Sequence, residues 1–208
     1  MSKLQKNAYA KLAPDFCIPF ARRVIDFSGI FPKKKGSLIM EIGFGMGIAT
    51  AKIAGENPDK NYVCVEVHKP GVGKLLSEIE KKNLDNIRII EADAYDVLTC
   101  MIQDSSLSGF HIFFPDPWPK IRHHKRRLIQ DDFTRLLVLK LLPGGYIYVA
   151  TDWEDYARWI KVVFDSNSDL VNPYGDFAPV SKWRPVTGFE QKGRNQNHSI
   201  FEIFVQKA

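Results

Sequence analysis

The sequence contains few cysteines, and their spacing excludes two kinds of cross-linked protein. Cys17, Cys64 and Cys100 are far apart and odd in number among 208 residues. Neither a disulfide framework nor a zinc site has this spacing, so we expect a protein of the reducing cytoplasm that holds no metal. Cys64 lies in an apolar run and is expected to pack there as a small hydrophobic residue.

Long apolar runs, internal repeats and low-complexity segments are missing as well. The first six residues contain no hydrophobic core of a secretory signal, and no segment is long enough to span a bilayer. We therefore expect neither secretion nor insertion into a membrane. With 45% hydrophobic and 25% charged residues, the composition is that of one ordinary globular domain.

Apolar runs alternate with amphipathic segments from Ser37 onwards. Strands are predicted at residues 38–42, 61–67, 87–90, 109–114, 146–150 and 199–206, and helices at 48–54, 71–82, 95–103, 131–142 and 155–164. This alternation predicts a single α/β domain with right-handed crossovers and a doubly wound, mostly parallel sheet. The residues before it predict one helix that lies over the sheet or near the mouth of the site, and a basic turn at 33–36. We therefore expect an N-terminal helical segment, 1–36, followed by the main domain, 37–208.

An acid or a glycine loop follows each of the first five predicted strands. The loop Gly43–Gly47 follows the first strand, and Glu66, Asp93, Asp116 and Asp152 stand at or just beyond the ends of the next four. In open α/β sheets, ligands bind beyond the carboxyl ends of the strands. These residues are therefore expected to surround one site.

The glycine loop differs from a dinucleotide-binding loop. Ile48 stands where G-x-G-x-x-G requires its third glycine, and Glu41 precedes the loop, where a carboxylate would repel a pyrophosphate. A dehydrogenase is therefore disfavoured. The same carboxylate suits a cationic ligand such as S-adenosylmethionine, although capping of nearby backbone N–H groups is an alternative role. Glu66 lies 23 residues after Gly43, close to the usual offset of an acid that binds ribose hydroxyls, and Asp93 is placed to reach the adenine amino group.

A proline turn at 113–120 and a basic strip at 122–127 follow the fourth strand. Proline continues neither a strand nor a helix, so the three prolines of the turn hold Asp116 and Trp118 in set directions. The basic strip carries four positive charges and two histidines within six residues, whereas the net charge of the whole chain is only +5. An acid at a strand tip beside a phosphate-seeking strip indicates chemistry on a nucleic acid. A solvated face is the alternative for the strip, and packing under the turn is the alternative for Trp118.

Several motifs together resemble those of the bacterial tRNA (guanine-N7)-methyltransferase family. They are Glu41-Ile42-Gly43-Phe44-Gly45-Met46-Gly47, Phe114-Pro115-Asp116-Pro117-Trp118-Pro119-Lys120, Arg122-His123-His124-Lys125-Arg126-Arg127, Thr151-Asp152 and Arg184-Pro185-x-Thr187-x-Phe189-Glu190. The resemblance runs from about Ser37 to the C-terminus. The glycine loop is shared by many methyltransferases, whereas the proline turn with its basic sequel is far more specific. Gly188 departs from the larger or charged residue that is common in the family, and the segment before Ser37 matches weakly.

The resemblance implies a fold, a reaction and a set of site residues. It implies a Rossmann-like sheet with an antiparallel C-terminal strand, and transfer of a methyl group from S-adenosylmethionine to N7 of a guanine in the variable loop of tRNA, by a monomer or a homodimer. The implied cofactor-binding residues are Glu41, Gly43, Gly45, Gly47, Glu66, Asp93 and Asp116. The implied substrate-binding residues are Lys120, Asp152, Thr187, Gly188, Phe189 and Glu190, and the implied RNA contacts are Arg122, His123, His124, Lys125, Arg126 and Arg127.

Guanine N7 carries a free lone pair, so this reaction requires no general base. We expect Asp116 to stabilise the cationic purine as it forms, with binding of the cofactor alone as its other role. Asp152 and Glu190 are expected to accept hydrogen bonds from guanine N1–H and the amino group, and Trp118 to stack on the flipped base or the cofactor. Two other functions compete. A small-molecule methyltransferase would give the basic strip no role, and a non-catalytic RNA-binding module would give the acids at the strand ends no role.

Overall fold

A seven-stranded sheet organises the chain in the computed structural model, which describes residues 1–31 and 36–208. The basic turn predicted at 33–36 therefore lies, apart from its glycine, outside the described residues. The strands are β1 Leu38–Ile42, β2 Asn61–Val65, β3 Ile87–Ile90, β4 Leu107–Phe113, β5 Leu141–Thr151, β6 Leu170–Val171 and β7 Phe201–Lys207. Their order is β3-β2-β1-β4-β5-β7-β6. Strands β1 to β5 run parallel, and β7 is antiparallel to both of its neighbours. The predicted fold class is confirmed.

Seven α-helices are described, and six of them cover the two faces of the sheet. They are α1 Lys3–Phe16, α2 Ile48–Glu56, α3 Lys69–Lys82, α4 Ala94–Cys100, α5 Asp131–Lys140, α6 Glu154–Asp165 and α7 Gly188–Asn195. Helices α1, α2 and α3 pack over one face, where Ile39, Tyr62 and Leu75 belong to one apolar cluster. Helices α4, α5 and α6 cover the other face, around Met40, Val63 and Ile160. Cys64 is fully buried in the first cluster, as expected from its apolar surroundings.

The N-terminal helix begins earlier than its apolar residues suggested. Ser2 and Gln5 form a capping box that starts α1, and the helix ends at Phe16. The chain then continues in an extended conformation, and Ile18 N–H donates to the carbonyl of Ile89 at 2.8 Å on the outer edge of β3. The predicted helix is present, but the segment after Phe16 packs as an extended chain that ends in a 3-10 helix at Phe27–Gly29.

Two described elements were missed in the sequence. Strand β6 has only two residues, and α7 is a polar eight-residue helix without an apolar stripe. Strand β5 also begins earlier than predicted, because its Pro143–Gly145 stretch stays in the sheet through a bulge, with Gly144 at φ +74°. Residues between β6 and β7 cover the aromatic face of β4 and β5, where Trp183 lies 5.0 Å from the Tyr148 ring and 4.9 Å from the His111 ring.

None of the helices within the described ranges is both long and apolar enough to cross a membrane. The three cysteines are free.

Candidate functional site

The glycine loop between β1 and α2 exposes its backbone to a ligand. Gly43, Gly45 and Gly47 have φ values of +73°, +58° and +67°, which side chains with a Cβ rarely adopt. No atom of the described residues lies within 4 Å of the position where a Cβ on Gly43 would stand, so this part of the loop is open. Gly71 of α3 packs directly against the Gly45 carbonyl, where a Cβ would not fit. The loop therefore packs tightly against α3 at Gly45 and is open at Gly43.

The Glu66 carboxylate fastens this loop to the end of β2. One oxygen accepts from Gly45 N–H at 2.8 Å, and the other accepts from the N–H groups of Val67 and His68 at 2.8 and 2.9 Å. Oε2, which among the described residues accepts only the Gly45 N–H, has further lone-pair capacity after these bonds. Glu66 therefore shapes the loop and still has acceptor capacity for a ligand.

Glu41 is buried inside the sheet beneath the loop. It is 3% exposed and lies in register with Cys64 of β2 and His111 of β4. Burial raises the pKa of Glu41 to about 8, and the nearby Glu66 carboxylate adds to the effect. A cationic ligand above the loop would favour the charged form of Glu41. Asp93, by contrast, is exposed and caps α4, with Oδ1 accepting from Tyr95 N–H at 2.8 Å.

The proline turn leaves the end of β4 through strained backbone. Phe114 and Trp118 have φ values of +53° and +45°, although neither is glycine. Phe114 N–H still donates to the Ala150 carbonyl of β5 at 2.7 Å, which fixes the start of the turn. Asp116 is exposed at its tip, and Trp118 is half-buried. The rigid turn predicted from the prolines thus presents Asp116 to the space beyond β4.

The basic strip forms a 3-10 helix, Ile121–Arg126, directly after the turn. Arg122, Lys125 and Arg126 are exposed, and the Arg126 guanidinium lies 5.0 Å from the Trp118 ring centre. His123 and His124 are half-buried, and Lys120 is exposed at the start of the strip. The three exposed cations and Lys120 share one surface element beside the turn.

Arg127 departs from the predicted RNA contacts, because it is only 2% exposed. Its Nε donates to the Pro117 carbonyl at 3.0 Å, its guanidinium pairs with Asp155, and it lies 4.9 Å from the Tyr156 ring centre. A phosphate could reach this side chain only if the packing opened. In this structure Arg127 ties the proline turn to the first turn of α6.

Asp152 follows β5 and lies against α7. Its Oδ2 is 3.2 Å from Nδ1 of His198, and the side chain is about one quarter exposed, at 26%. A Cβ added at Gly193 of α7 would collide with this carboxylate, so the two elements are in tight contact. No local pattern indicates that His198 is a partner of Asp152, since 46 residues separate them.

The segment 187–190 forms the first turn of α7. The Thr187 hydroxyl accepts from Glu190 N–H at 3.0 Å and caps the helix. Gly188 has open space around its Cα, and Phe189 is 65% exposed. The Phe189 ring lies over the glycine loop, 3.7 Å from where a Cβ on Gly45 would stand. Helix α7 therefore reaches across to the glycine loop.

Glu190 differs from the predicted substrate acceptor, because it is 1% exposed and fully engaged. One of its oxygens accepts from Arg184 at 2.5 Å, and the other accepts from Arg194 at 2.5 and 2.9 Å. Arg184 also pairs with buried Glu202 of β7 at 2.5 Å and lies over the rings of Phe113 and Phe114. This network anchors α7 to the end of β4, and both Glu190 oxygens are buried and hydrogen-bonded within it.

The sheet thus brings together the glycine loop, Glu66, Asp93, Asp116 and Asp152 at one edge. The open loop with positive φ, the carboxylates around it and the buried acid below it fit a nucleoside that carries a cationic group. No three His, Cys, Asp or Glu side chains converge into a metal-binding group in the part of the chain that the structure describes.

The chain is similar over nearly its whole length to known proteins. The model of a family described as "Putative methyltransferase" matches residues 35–203. A relative from Nitrosomonas eutropha, tRNA (guanine-N(7)-)-methyltransferase, is 50% identical over 207 residues, which is 100% of this chain and 92% of that protein.

Solved structures resemble it in fold. The 16S rRNA methyltransferase KamB is 15% identical with a TM-score of 0.64, over 90% of this chain and all (100%) of that one. A putative methyltransferase from Streptococcus mutans, in complex with SAH, is 11% identical with a TM-score of 0.54, over 100% of this chain and 99% of that one. At these identities the two structures establish the fold alone.

Proposed function

The chain belongs to the tRNA (guanine-N(7)-)-methyltransferase family, and we propose that it methylates N7 of a guanine in the variable loop of tRNA with S-adenosylmethionine. The observation that carries this proposal is the single edge of the sheet at which the glycine loop, the proline turn and the basic strip meet. A small-molecule methyltransferase needs the glycine loop but not the basic strip. A non-catalytic RNA-binding protein needs the basic strip but not the glycine loop.

We propose that the cofactor lies over the glycine loop. S-adenosylmethionine supplies a methyl group on a sulfonium. Gly43, Gly45 and Gly47 let the backbone approach the cofactor, Glu66 accepts from the ribose hydroxyls and the free oxygen of Asp93 accepts from the adenine amino group. Glu41 contributes negative charge from below when it loses its proton.

We propose that Asp116 acts on the purine by its charge. N7 attacks with a lone pair, so Asp116 has no proton to remove, and a fixed carboxylate stabilises the positive charge that develops on the ring. The strained turn and Arg127 hold it in place, which reduces reorganisation during the reaction. Alignment of N7 with the methyl group supplies the rest of the rate enhancement.

We propose that tRNA phosphates bind Lys120, Arg122, Lys125 and Arg126, with His123 and His124 beside them. Arg127 stabilises the turn instead. Asp152, Thr187, Gly188 and Phe189 face the substrate side, whereas Glu190 acts as an anchor of α7. We also propose that the enzyme is cytoplasmic, which accords with its free thiols. The proposal includes a monomeric or homodimeric enzyme that needs no metal.

Incubation with labelled S-adenosylmethionine and bulk tRNA tests the activity. We expect label in 7-methylguanosine after digestion of the tRNA, at one position of the variable loop. Label in another nucleoside, or none despite binding of both ligands, would contradict the proposal. Label transferred to small molecules of a cell extract but not to tRNA would favour the small-molecule methyltransferase.

A further inference from the structure

Helix α1 packs against α3 at close range. Ala8 of α1 is only 3% exposed, and Leu12 packs against the same apolar cluster as α3. A Cβ added at Gly73 of α3 would stand 3.1 Å from the carbonyl oxygen of Gln5 and 3.2 Å from its Cβ. The two helices therefore approach each other at their backbones, and α1 is fixed on the surface of α3.

The same helix α3 touches the glycine loop on its other side. A Cβ added at Gly71 would collide with the carbonyl oxygen of Gly45 in the loop, whereas Gly73 faces α1. Two residues along an α-helix turn the side-chain direction by about 200°, so Gly71 and Gly73 point to opposite sides of α3. Helix α3 is therefore held between α1 and the glycine loop, and these three elements form one packed unit.

Tyr9 joins this unit to the end of β3. Its hydroxyl donates to Glu91 Oε2 at 2.7 Å, and Glu91 is the first residue after β3. The Lys69 ammonium lies over the Tyr9 ring, 4.8 Å from its centre. The hydrogen bond to Glu91, together with burial, raises the pKa of Tyr9 to about 12, so the hydroxyl remains a donor near neutral pH. No role was predicted from the sequence for either Tyr9 or Glu91.

The segment that Tyr9 holds is the one that carries Asp93. Glu66 N–H donates to the Ile90 carbonyl at 3.2 Å, so Glu91 begins directly beside the proposed ribose acceptor. Asp93, the proposed acceptor of the adenine amino group, stands two residues further on and is exposed. The bond between Tyr9 and Glu91 therefore fixes the chain between the two acids proposed for the adenosyl half of the cofactor.

We propose that Tyr9 is a positioning residue of the cofactor site, which acts through Glu91 on the segment that carries Asp93. The inference rests on the proposed binding of S-adenosylmethionine over the glycine loop. A segment that is ordered in advance loses less conformational entropy when it binds its ligand. The basic strip follows β4, which β1 and β2 separate from β3, so Tyr9 should not influence the binding of tRNA.

Tyr9→Phe removes only the hydroxyl and tests this role by calorimetry. It should raise the Kd of S-adenosylhomocysteine and of methylthioadenosine alike by about 2- to 10-fold, the net contribution of one hydrogen bond, since both ligands carry the adenosyl half. Affinity for tRNA and the single-turnover methylation rate at saturating S-adenosylmethionine should equal those of wild type. Tyr174→Phe is the matched control, because Tyr174 packs on Phe204 of β7, far from β3 in the strand order.

A double-mutant cycle separates the positioning role from a general loss of packing. Glu91→Ala should also weaken binding of S-adenosylhomocysteine, and the double variant should bind no more weakly than the weaker single variant, because both changes break the same bond. Glu91→Gln keeps an acceptor for the Tyr9 hydroxyl and should retain most of the affinity. Additive losses, or wild-type Kd values for both ligands in a folded Tyr9→Phe protein, would overturn the proposal.

The positioning role and the proposed function fail in different ways. If wild-type protein binds S-adenosylhomocysteine and Tyr9→Phe binds it equally well, only the role of Tyr9 is wrong. If wild-type protein binds neither S-adenosylhomocysteine nor S-adenosylmethionine, the proposed function itself is wrong and the role of Tyr9 falls with it.

Discussion

The Glu66 carboxylate shapes the glycine loop, and we propose that it also accepts from the cofactor. Its oxygens accept three backbone N–H groups, one of them from Gly45 of the loop. Such bonds order a loop that contains three glycines with positive φ. Substitution at this residue therefore probes both the loop and the ligand.

Glu66→Ala should weaken binding of S-adenosylmethionine by roughly 1–3 kcal/mol, because it removes an acceptor of the cofactor and strands the Gly45 N–H donor. Isothermal titration calorimetry measures the change. Glu80→Ala is a suitable control, because Glu80 is an exposed acid at the far end of α3 whose partner is Lys11. Unchanged cofactor affinity in a folded Glu66→Ala protein would rule out the assignment.

Asp116→Asn should lower the single-turnover methylation rate about 10²-fold or more, the scale of losing one preorganised electrostatic group. Asparagine keeps the size of the side chain and the prolines on either side keep the turn, so the loss reports on charge. The assay is run at saturating cofactor, with the binding of both ligands measured separately. An Asn variant that binds both ligands and reacts at the wild-type rate would show that alignment alone drives the reaction.

The location of a side chain was predictable where it depends only on which strand the residue follows. Glu66, Asp93, Asp116 and Asp152 follow strands, and parallel strands bring their carboxyl ends to one edge whatever the details of packing. Arg127 and Glu190 were not predictable in the same way. Both are charged residues in polar stretches, and they are buried only because partners from other elements, Asp155 and Arg184, neutralise them.

At the scale of elements, the 3-10 helix at Ile121–Arg126 separates the strip into an outer and an inner part. Arg122, Lys125 and Arg126 face solvent, whereas Arg127 at its end is buried in α6 contacts. Charge density in the sequence could not distinguish these positions. The 3-10 geometry and the aromatic residues of α6 determine which cations remain outside.

Replacement of Arg122, Lys125 and Arg126 by Ala should weaken tRNA binding and flatten its salt dependence. Each lost phosphate contact should change the log–log slope by about 0.7–0.9. Lys52 in the middle of α2, with Lys81 and Lys82 in the last turn of α3, provides a matched triple-Ala control with the same change in charge. Filter-binding titrations at several salt concentrations give the slopes. Equal slopes for the two triple variants would mean that the strip is only a solvated face.

The strands and helices from β1 to α6 were predictable, since each of these elements has its own local pattern of apolar residues. Strand β6 and helix α7 were not, because β6 is two residues long and α7 is mostly polar. Helix α7 is held by the Arg184, Glu190 and Glu202 network, which joins three separate parts of the chain. No local sequence pattern indicates such a network, because its members meet only when the sheet is assembled.

For the whole molecule, two buried groups give the free energy of unfolding opposite dependences on pH. Burial raises the pKa of Glu41 from 4.5 to about 8. Burial also lowers the pKa of His111 from 6.5 to about 3, and nearby Lys60 adds to this effect. The Glu41 contribution is present below pH 4.5 and is lost as the pH rises towards 8. The His111 contribution is present above pH 6.5 and is lost as the pH falls towards 3.

As the pH rises from 6.5 towards 8, His111 becomes neutral in the unfolded as well as the folded protein, so the remaining change comes from Glu41 of this pair. The free energy of unfolding of the cofactor-free protein should therefore fall with rising pH in this window, with a slope of at most about 1.4 kcal/mol per pH unit from this residue. Glu41→Gln should remove that part of the slope. Urea denaturation at three pH values measures it, and identical slopes for wild type and Glu41→Gln would contradict the prediction.

Strand β7 lies between β5 and β6 in the sheet although it follows both in the chain. It also carries Glu202, the buried counter-ion of Arg184. During synthesis on the ribosome, the glycine loop, the acids and the basic strip emerge before β7 does. A nascent chain therefore carries the cations of the basic strip before α7 can be anchored beside the glycine loop. The Arg184 bridge between α7 and the sheet is complete only when β7 supplies Glu202, so the last strand of the chain completes the placement of α7.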